Sequence, residues 1–225
     1  MAMSETPDPQ SEMSAVHRMI DLLGHGQVEL RGLVPWSSNY TFWATVRREG
    51  MEALAIYKPR RGETPLWDFE AGTLCRREVA AYMLSRELGW PGIPPVVLRN
   101  GPYGLGSLQL YVEHDQEAHY FTMRGQPEYE AAFRRIALFD WVANNADRKG
   151  GHLLQGSEGQ VWAIDHGLTF HTQYKLRTVI WDYAGSPIEA ECLKDLMALK
   201  ETMADLDSPL CQGLKRLLHH DEIAA

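Results

Sequence analysis

Apolar residues recur along the chain with two different periods. Val16, Met19, Ile20 and Leu23 fall at i, i+3, i+4 and i+7, which predicts an amphipathic helix over 14–23. Three strands are predicted next: 27–34, then 40–47 with Phe42, Ala44 and Val46 on one face, then 51–58 across the Glu49-Gly50 turn. A helix with a long apolar stripe is predicted over 68–88, ended by Gly89-Trp90-Pro91. Residues 95–99 and 106–112 read as another strand pair around Asn100-Gly101-Pro102. Pro127 suits a first helical position, and the pattern behind it runs to about Asn144. Short strands at 152–154 and 161–164 flank a Gly-Ser-Glu-Gly turn. From Pro187 on the pattern is helical, with Asp207-Ser208-Pro209 as a helix start. This order predicts an α+β fold with a β-rich N-terminal lobe over 12–114 and a helical C-terminal lobe over 115–225. Residues 1–11 read as a polar, proline-containing tail with nothing to bury.

The apolar fraction, 44% with seven tryptophans in 225 residues, is ample for a core. A net charge of −8 argues against a nucleic-acid partner, which calls for a basic face, and against electrostatic docking on anionic lipid. No apolar run approaches the roughly 18 residues of a membrane span, so no integral membrane association is expected. Cys75, Cys192 and Cys211 are far apart and form no C-x-x-C, so they read as reduced core thiols of a cytoplasmic protein.

The chemistry concentrates between Phe139 and His171. Asp147 leaves the end of a helical segment, and Asp165 leaves the end of a short apolar strand eighteen residues later. His152, five residues after Asp147, is a side chain able to hold a metal. Two carboxylates at two element ends beside such a group suit metal-assisted phosphoryl transfer. One carboxylate orients the nucleophile and the other holds the ion that bridges the phosphates. Upstream, Lys58 ends the third strand on a face shared with Leu54 and Ile56, and Glu78 lies on an inward helical strip with Leu74, Ala81 and Tyr82. A lysine on the third strand followed by an acid on the next helix is the pair kinases use to hold phosphates. Alone, Lys58 reads more readily as a snorkelling lysine and Glu78 as a solvated glutamate; together they favour the phosphate-holding pair. Ser37, Ser38 and Asn39, between the first two strands, offer donors to a phosphate or form an ordinary polar turn. There is no Walker motif and no G-x-G-x-x-G.

With these residues in view, YKPRRGETP with CRREVAAYML, and NNADRKGGHLL with AIDHGLTF, resemble the phosphatidylinositol 3-/4-kinase superfamily over about Gly32 to Trp181. The likeness is to its type II lipid 4-kinase branch, to HipA-like and secreted Fam20-like atypical kinases, and most strongly to a small group of bacterial lipid-kinase-like proteins. The resemblance implies a minimal bilobal protein-kinase-like fold, ATP as nucleotide, and Mg²⁺ or Mn²⁺. It makes Lys58 the phosphate-binding lysine, Glu78 its partner, Asp147 the catalytic aspartate and Asp165 the metal aspartate. It places the adenine contact on backbone at Tyr111 and Val112. Where the family has asparagine, this chain has His152. Imidazole nitrogen suits Mn²⁺ or Zn²⁺ better than Mg²⁺, and as a ligand it would be lost on protonation near pH 6.5.

The function these features predict is an ATP- and divalent-metal-dependent phosphotransferase with an unidentified hydroxyl acceptor, a protein or small molecule rather than a lipid. The alternatives are a degenerate kinase-like nucleotide-binding module and an AMP transferase. A metal hydrolase built on Asp147, His152, Asp165, His166 and His171 has no H-E-x-x-H spacing behind it and leaves Lys58 and Glu78 without a role. The acceptor and the oligomeric state have no signature in the sequence.

Overall fold

A computed structural model describes residues 9–35 and 37–225 of the chain. Residues 1–8 of the expected tail over 1–11 lie outside the described residues, as does Trp36, and residues 9–11 are helical. The first helix begins earlier than its apolar pattern, at Pro9.

The chain divides into two compact units, and the division is discontinuous in sequence. The first unit holds residues up to Gly62 together with Pro95–Tyr111. Its helix α1 (Pro9–His25) precedes β1 (Gln27–Leu33), β2 (Phe42–Arg48) and β3 (Met51–Pro59), and the later pair β4 (Val96–Gly101) and β5 (Gly104–Leu110) completes an antiparallel sheet ordered β1-β2-β3-β5-β4. These strands lie within two residues of the pattern that predicts them, because each has one face against a core. That core joins Leu22 and Leu23 of α1 to Ala44, Val46, Ala55, Tyr57 and Leu108 of the sheet. Gly106 has to be glycine, since a Cβ there would lie 2.5 Å from the Lys58 carbonyl oxygen.

The second unit holds Glu63–Pro94 and Val112–Ala225. It contains α2 (Leu74–Leu88), the short α3 (Tyr120–Met123), α4 (Pro127–Val142), the hairpin β6 (Leu153–Gln155) with β7 (Val161–Ala163), and then α5 (Ala190–Ala204), α6 (Pro209–Lys215) and α7 (His220–Ala224). The expected N-terminal lobe, 12–114, included α2. Packing places that helix with the C-terminal elements instead, because it lies against α5 and α6. α2 also starts later than predicted, at Leu74. Glu63 accepts from the Leu74 and Cys75 amides at 3.2 and 2.9 Å, capping the free N–H groups there, while 68–73 stays irregular. α6 begins at the expected place, with the Ser208 hydroxyl accepting from Cys211 N. The three cysteines are buried and unpaired with one another, and burial beside Glu63 pushes Cys75 up to about 12. Among the described residues no helix is long and apolar enough to cross a membrane.

Candidate active site

In the sheet unit, strand alternation sorts two faces. Ala55 and Tyr57 look into the core, and Ile56 and Lys58 stand on the other face. Register puts Gln109 opposite Ile56, Ser107 opposite Lys58 and Trp43 opposite Ile56, while Tyr111 meets Trp43 edge-on at 4.8 Å. Lys58 therefore belongs to a surface with Trp43, Ser107, Gln109 and Tyr111. Of these, Trp43, Ser107 and Gln109 were not singled out from sequence, although the period of β5 sets Ser107 and Gln109 on one face. Gln109 is buried, and its Nε2 finds no partner among the described residues. In the β1–β2 turn, Ser37 Oγ is 2.8 Å from Thr41 Oγ1.

In the helical unit, the segment after α4 is fixed by a buried carboxylate that the sequence reading overlooked. Asp140, fully buried on α4, accepts from Arg148 Nε at 3.0 Å, Arg148 Nη2 at 2.9 Å and Asn145 Nδ2 at 2.8 Å. Arg148 is itself 2% exposed, and its remaining donors reach the Ile164 carbonyl at 2.8 Å and His166 Nε2 at 2.7 Å. Arginine has no acceptor, so it donates to His166 and that ring nitrogen is unprotonated. One residue pair thus ties the loop bearing Asp147 to the loop bearing Asp165. Backbone bonds repeat the tie: Ala146 N donates to Leu168 O, Phe170 N to Ala143 O, and Ile164 N to His152 O. Asn144, at φ 50, donates to the His171 and Gln173 carbonyls and accepts from Lys175 N, clamping the segment that follows.

Asp147 N donates to Asn145 Oδ1 at 3.0 Å, which sets the turn. Its carboxylate receives Lys149 Nζ on Oδ2 and Arg177 Nη2 on Oδ1, both at 2.7 Å. Asp165 takes a left-handed backbone, φ 62, which aspartate tolerates better than most residues. Its Oδ2 lies 3.2 Å from His152 Nε2. Glu78 is buried on α2 and accepts the His166 N–H at 3.0 Å, holding the backbone one residue beyond Asp165. On the same helix, buried Arg77 donates to the Thr169 and Phe170 carbonyls and pairs with Glu222 of α7.

Asp165 and His152 are two donors close enough to meet one ion, and they fit a divalent metal that takes its other ligands from phosphate and water. Among the described residues no third His, Cys, Asp or Glu joins them. The Lys149 N–H faces His152 Nδ1 at 3.4 Å, so the neutral ring carries its proton on Nε2, toward Asp165. Ligation through Nε2 requires that proton to move or leave. Burial, with help from Arg148 and Lys149 against the pull of Asp165, brings His152 down to about 4. This corrects the expected titration near pH 6.5: the ring stays neutral through the physiological range. The unfolded chain protonates this histidine below about 6.5 and the folded chain only near 4. Folding stability therefore falls across that window by up to about 3 kcal/mol and levels off below it. In EDTA, His152→Asn is expected to remove this part of the acid limb in urea-unfolding measurements between pH 7 and 4. An identical acid limb in wild type and variant would refute the assignment.

The chain is 37% identical to Protein Rv2133c of Mycobacterium tuberculosis, with the alignment covering 91% of this chain and 84% of that protein. The chain belongs to the family of Protein Rv2133c. No family model matches it. Phosphatidylinositol 4-kinase gamma 4 of Oryza sativa is 31% identical over 48% of this chain, but only 22% of that longer protein is covered. Phosphatidylinositol 4-kinase gamma 2 of Arabidopsis thaliana is 25% identical over 85% of this chain and 43% of its own length. Among solved structures, the Golgi casein kinase with Mn/ADP bound superposes with a TM-score of 0.65 at 15% identity, over 97% of this chain and 73% of that one. The Helicobacter pylori proinflammatory kinase CtkA gives 0.52 at 11% identity, over 90% and 89%. The likenesses to the solved structures show a kinase-like fold for this chain, in agreement with the expected α+β class.

Proposed function

We propose that the chain is an ATP- and divalent-metal-dependent phosphotransferase acting on a hydroxyl acceptor. The observation that carries this reading is the joint anchoring of Asp147 and the Asp165–His152 pair by Asp140 and Arg148 inside one compact unit. A proton acceptor and a pair of metal donors are thereby held on one rigid framework. In this reading Asp147 orients the acceptor hydroxyl and takes its proton, while Asp165 and His152 hold the ion. When bound, that ion neutralises phosphate charge. Lys58 grips the phosphates and Glu78 supports it, Ser37, Ser38 and Asn39 cover the phosphates, and backbone at Tyr111 and Val112 receives the adenine. Most of the rate comes from positioning and electrostatics. The Mn/ADP complex of the Golgi casein kinase supports the choice of nucleotide and metal.

A second reading, a nucleotide-binding module without transfer, is favoured by the occupation of both Asp147 oxygens by Lys149 and Arg177. Turnover separates the two. At a hundred times its dissociation constant, ATP with Mg²⁺ or Mn²⁺ is expected to raise Tm by roughly 5–10 °C in a thermal-shift assay. Lys58→Met should abolish most of that rise. No shift and no heat of binding by calorimetry would sink both readings. Binding without phosphate transfer or ATP hydrolysis would leave only the second.

A further inference from the structure

The chain carries eight more acidic than basic charges, yet Asp147 sits between two basic side chains. Lys149 and Arg177 remain 61% and 74% exposed while they bracket it. Two cations on one carboxylate leave an excess positive charge where the acceptor must approach. Stability does not explain the arrangement, because exposed ion pairs contribute little once side-chain ordering is counted. Arg177 is also unusually well placed for an exposed residue. Its backbone N–H donates to Asn145 O, its carbonyl accepts from Arg148 N, and its Nε reaches Ala146 O at 3.0 Å. The Arg177 backbone is thus locked to the catalytic loop on both sides. The guanidinium has five N–H donors, of which Nε and one on Nη2 are engaged in these contacts, so three remain to face solvent in a rigid fork.

We propose that the acceptor bears an anionic group, phosphate or carboxylate, beside its reacting hydroxyl, and that Arg177 with Lys149 binds it. This rests on the reading of Asp147 as the group that takes the hydroxyl proton. On binding, Arg177 exchanges Asp147 Oδ1 for the anion, and the freed oxygen accepts the proton as the hydroxyl oxygen bonds to the γ-phosphorus of ATP. The bond from that phosphorus to the β,γ-bridging oxygen breaks, and ADP carries away the electron pair. A neutral alcohol leaves Asp147 tied to both cations, so the same contact that recognises the acceptor excludes uncharged hydroxyl compounds.

The test is a titration with inorganic phosphate, followed at the Arg177 Nε–Hε resonance and by calorimetry on the full chain. Wild type should bind. Arg177→Met should bind about tenfold more weakly or worse, with Tm unchanged, and Arg177→Lys should fall between them. Asp147→Asn, which removes the competing carboxylate charge, should tighten binding about two- to fivefold. Phosphate transfer from ATP is then compared for glycerol, glycerate and glycerol phosphate, which share one hydroxyl scaffold. Transfer to the two charged compounds but not to glycerol supports the proposal, and activity with only one of them fixes the anion as carboxylate or phosphate. Equal phosphate binding in wild type and Arg177→Met, or glycerol serving as well as its charged relatives, overturns it. Anion binding that depends on Arg177, with ATP bound and no transfer to any compound, would uphold the anion site and sink the phosphotransferase reading instead.

Discussion

Asp147→Asn should lower phosphate transfer by roughly 10²–10⁴-fold, the usual contribution of a positioned acid–base group, while leaving the affinity for ATP nearly unchanged. The two effects separate because the substitution preserves shape. The turn is made by the residue 147 backbone N–H to Asn145 Oδ1, which an asparagine keeps. Of Lys149 and Arg177, which bond different oxygens of Asp147, one keeps the amide oxygen and the other turns to solvent, where both are already largely exposed. What disappears is the carboxylate that can take a proton from the acceptor. Asp165→Asn should behave differently: it weakens the metal dependence of nucleotide binding itself, since an amide oxygen is a poorer ligand for a hard cation than a carboxylate. Rapid-quench measurement of transfer together with calorimetric titration of ATP at fixed Mg²⁺ resolves the pair. Full activity in both variants would remove these two aspartates from the proposed chemistry.

The strands and the chain order of the elements were legible because each element has one apolar face, and a period of two or 3.6 survives whatever packs against it. The start of α2 was not. The predicted helix began at Asp68, but the Asp68 carbonyl accepts from His171 Nε2 and its carboxylate pairs with Lys175 at 2.9 Å. Partners more than a hundred residues away hold that stretch out of the helix, and no local pattern reports them. Glu78 could be placed inward from its helical strip, and it is buried, but its bond to the His166 amide spans 88 residues and left no trace in the sequence. Asp140 shows the opposite failure. Its position was readable, since Phe133, Ile136 and Asp140 fall at i, i+3 and i+7 on α4, and Phe133 and Ile136 are core residues. An acid on an apolar strip signals a buried cation, and Arg148 is the one that answers it.

Asp140→Ala is expected to cost about 3–5 kcal/mol of folding stability, the largest stability effect predicted here. The reason is what it leaves behind. Arg148 and Asp140 are both fully enclosed, and without the carboxylate a guanidinium stays in the interior with the Ile164 carbonyl and His166 as its remaining acceptors. Asn145 Nδ2 and Thr178 Oγ1 lose an acceptor as well. Removing both charges at once should be milder than removing either. Asp140→Leu with Arg148→Met exchanges an ion pair for apolar volume, and a buried pair replaced in this way is often close to neutral. The double variant should therefore fold with a urea midpoint above that of either single variant. Its catalytic loop, having lost the tie between the Asp147 and Asp165 segments, should transfer phosphate poorly even while folded. That split distinguishes a framework that positions the two aspartates from one that merely stabilises the helical unit. If the double variant were as unstable as Asp140→Ala, the cost would come from cavity and packing rather than from an unpaired buried charge. If it were stable and fully active, the Asp140–Arg148 pair would not be what aligns the site.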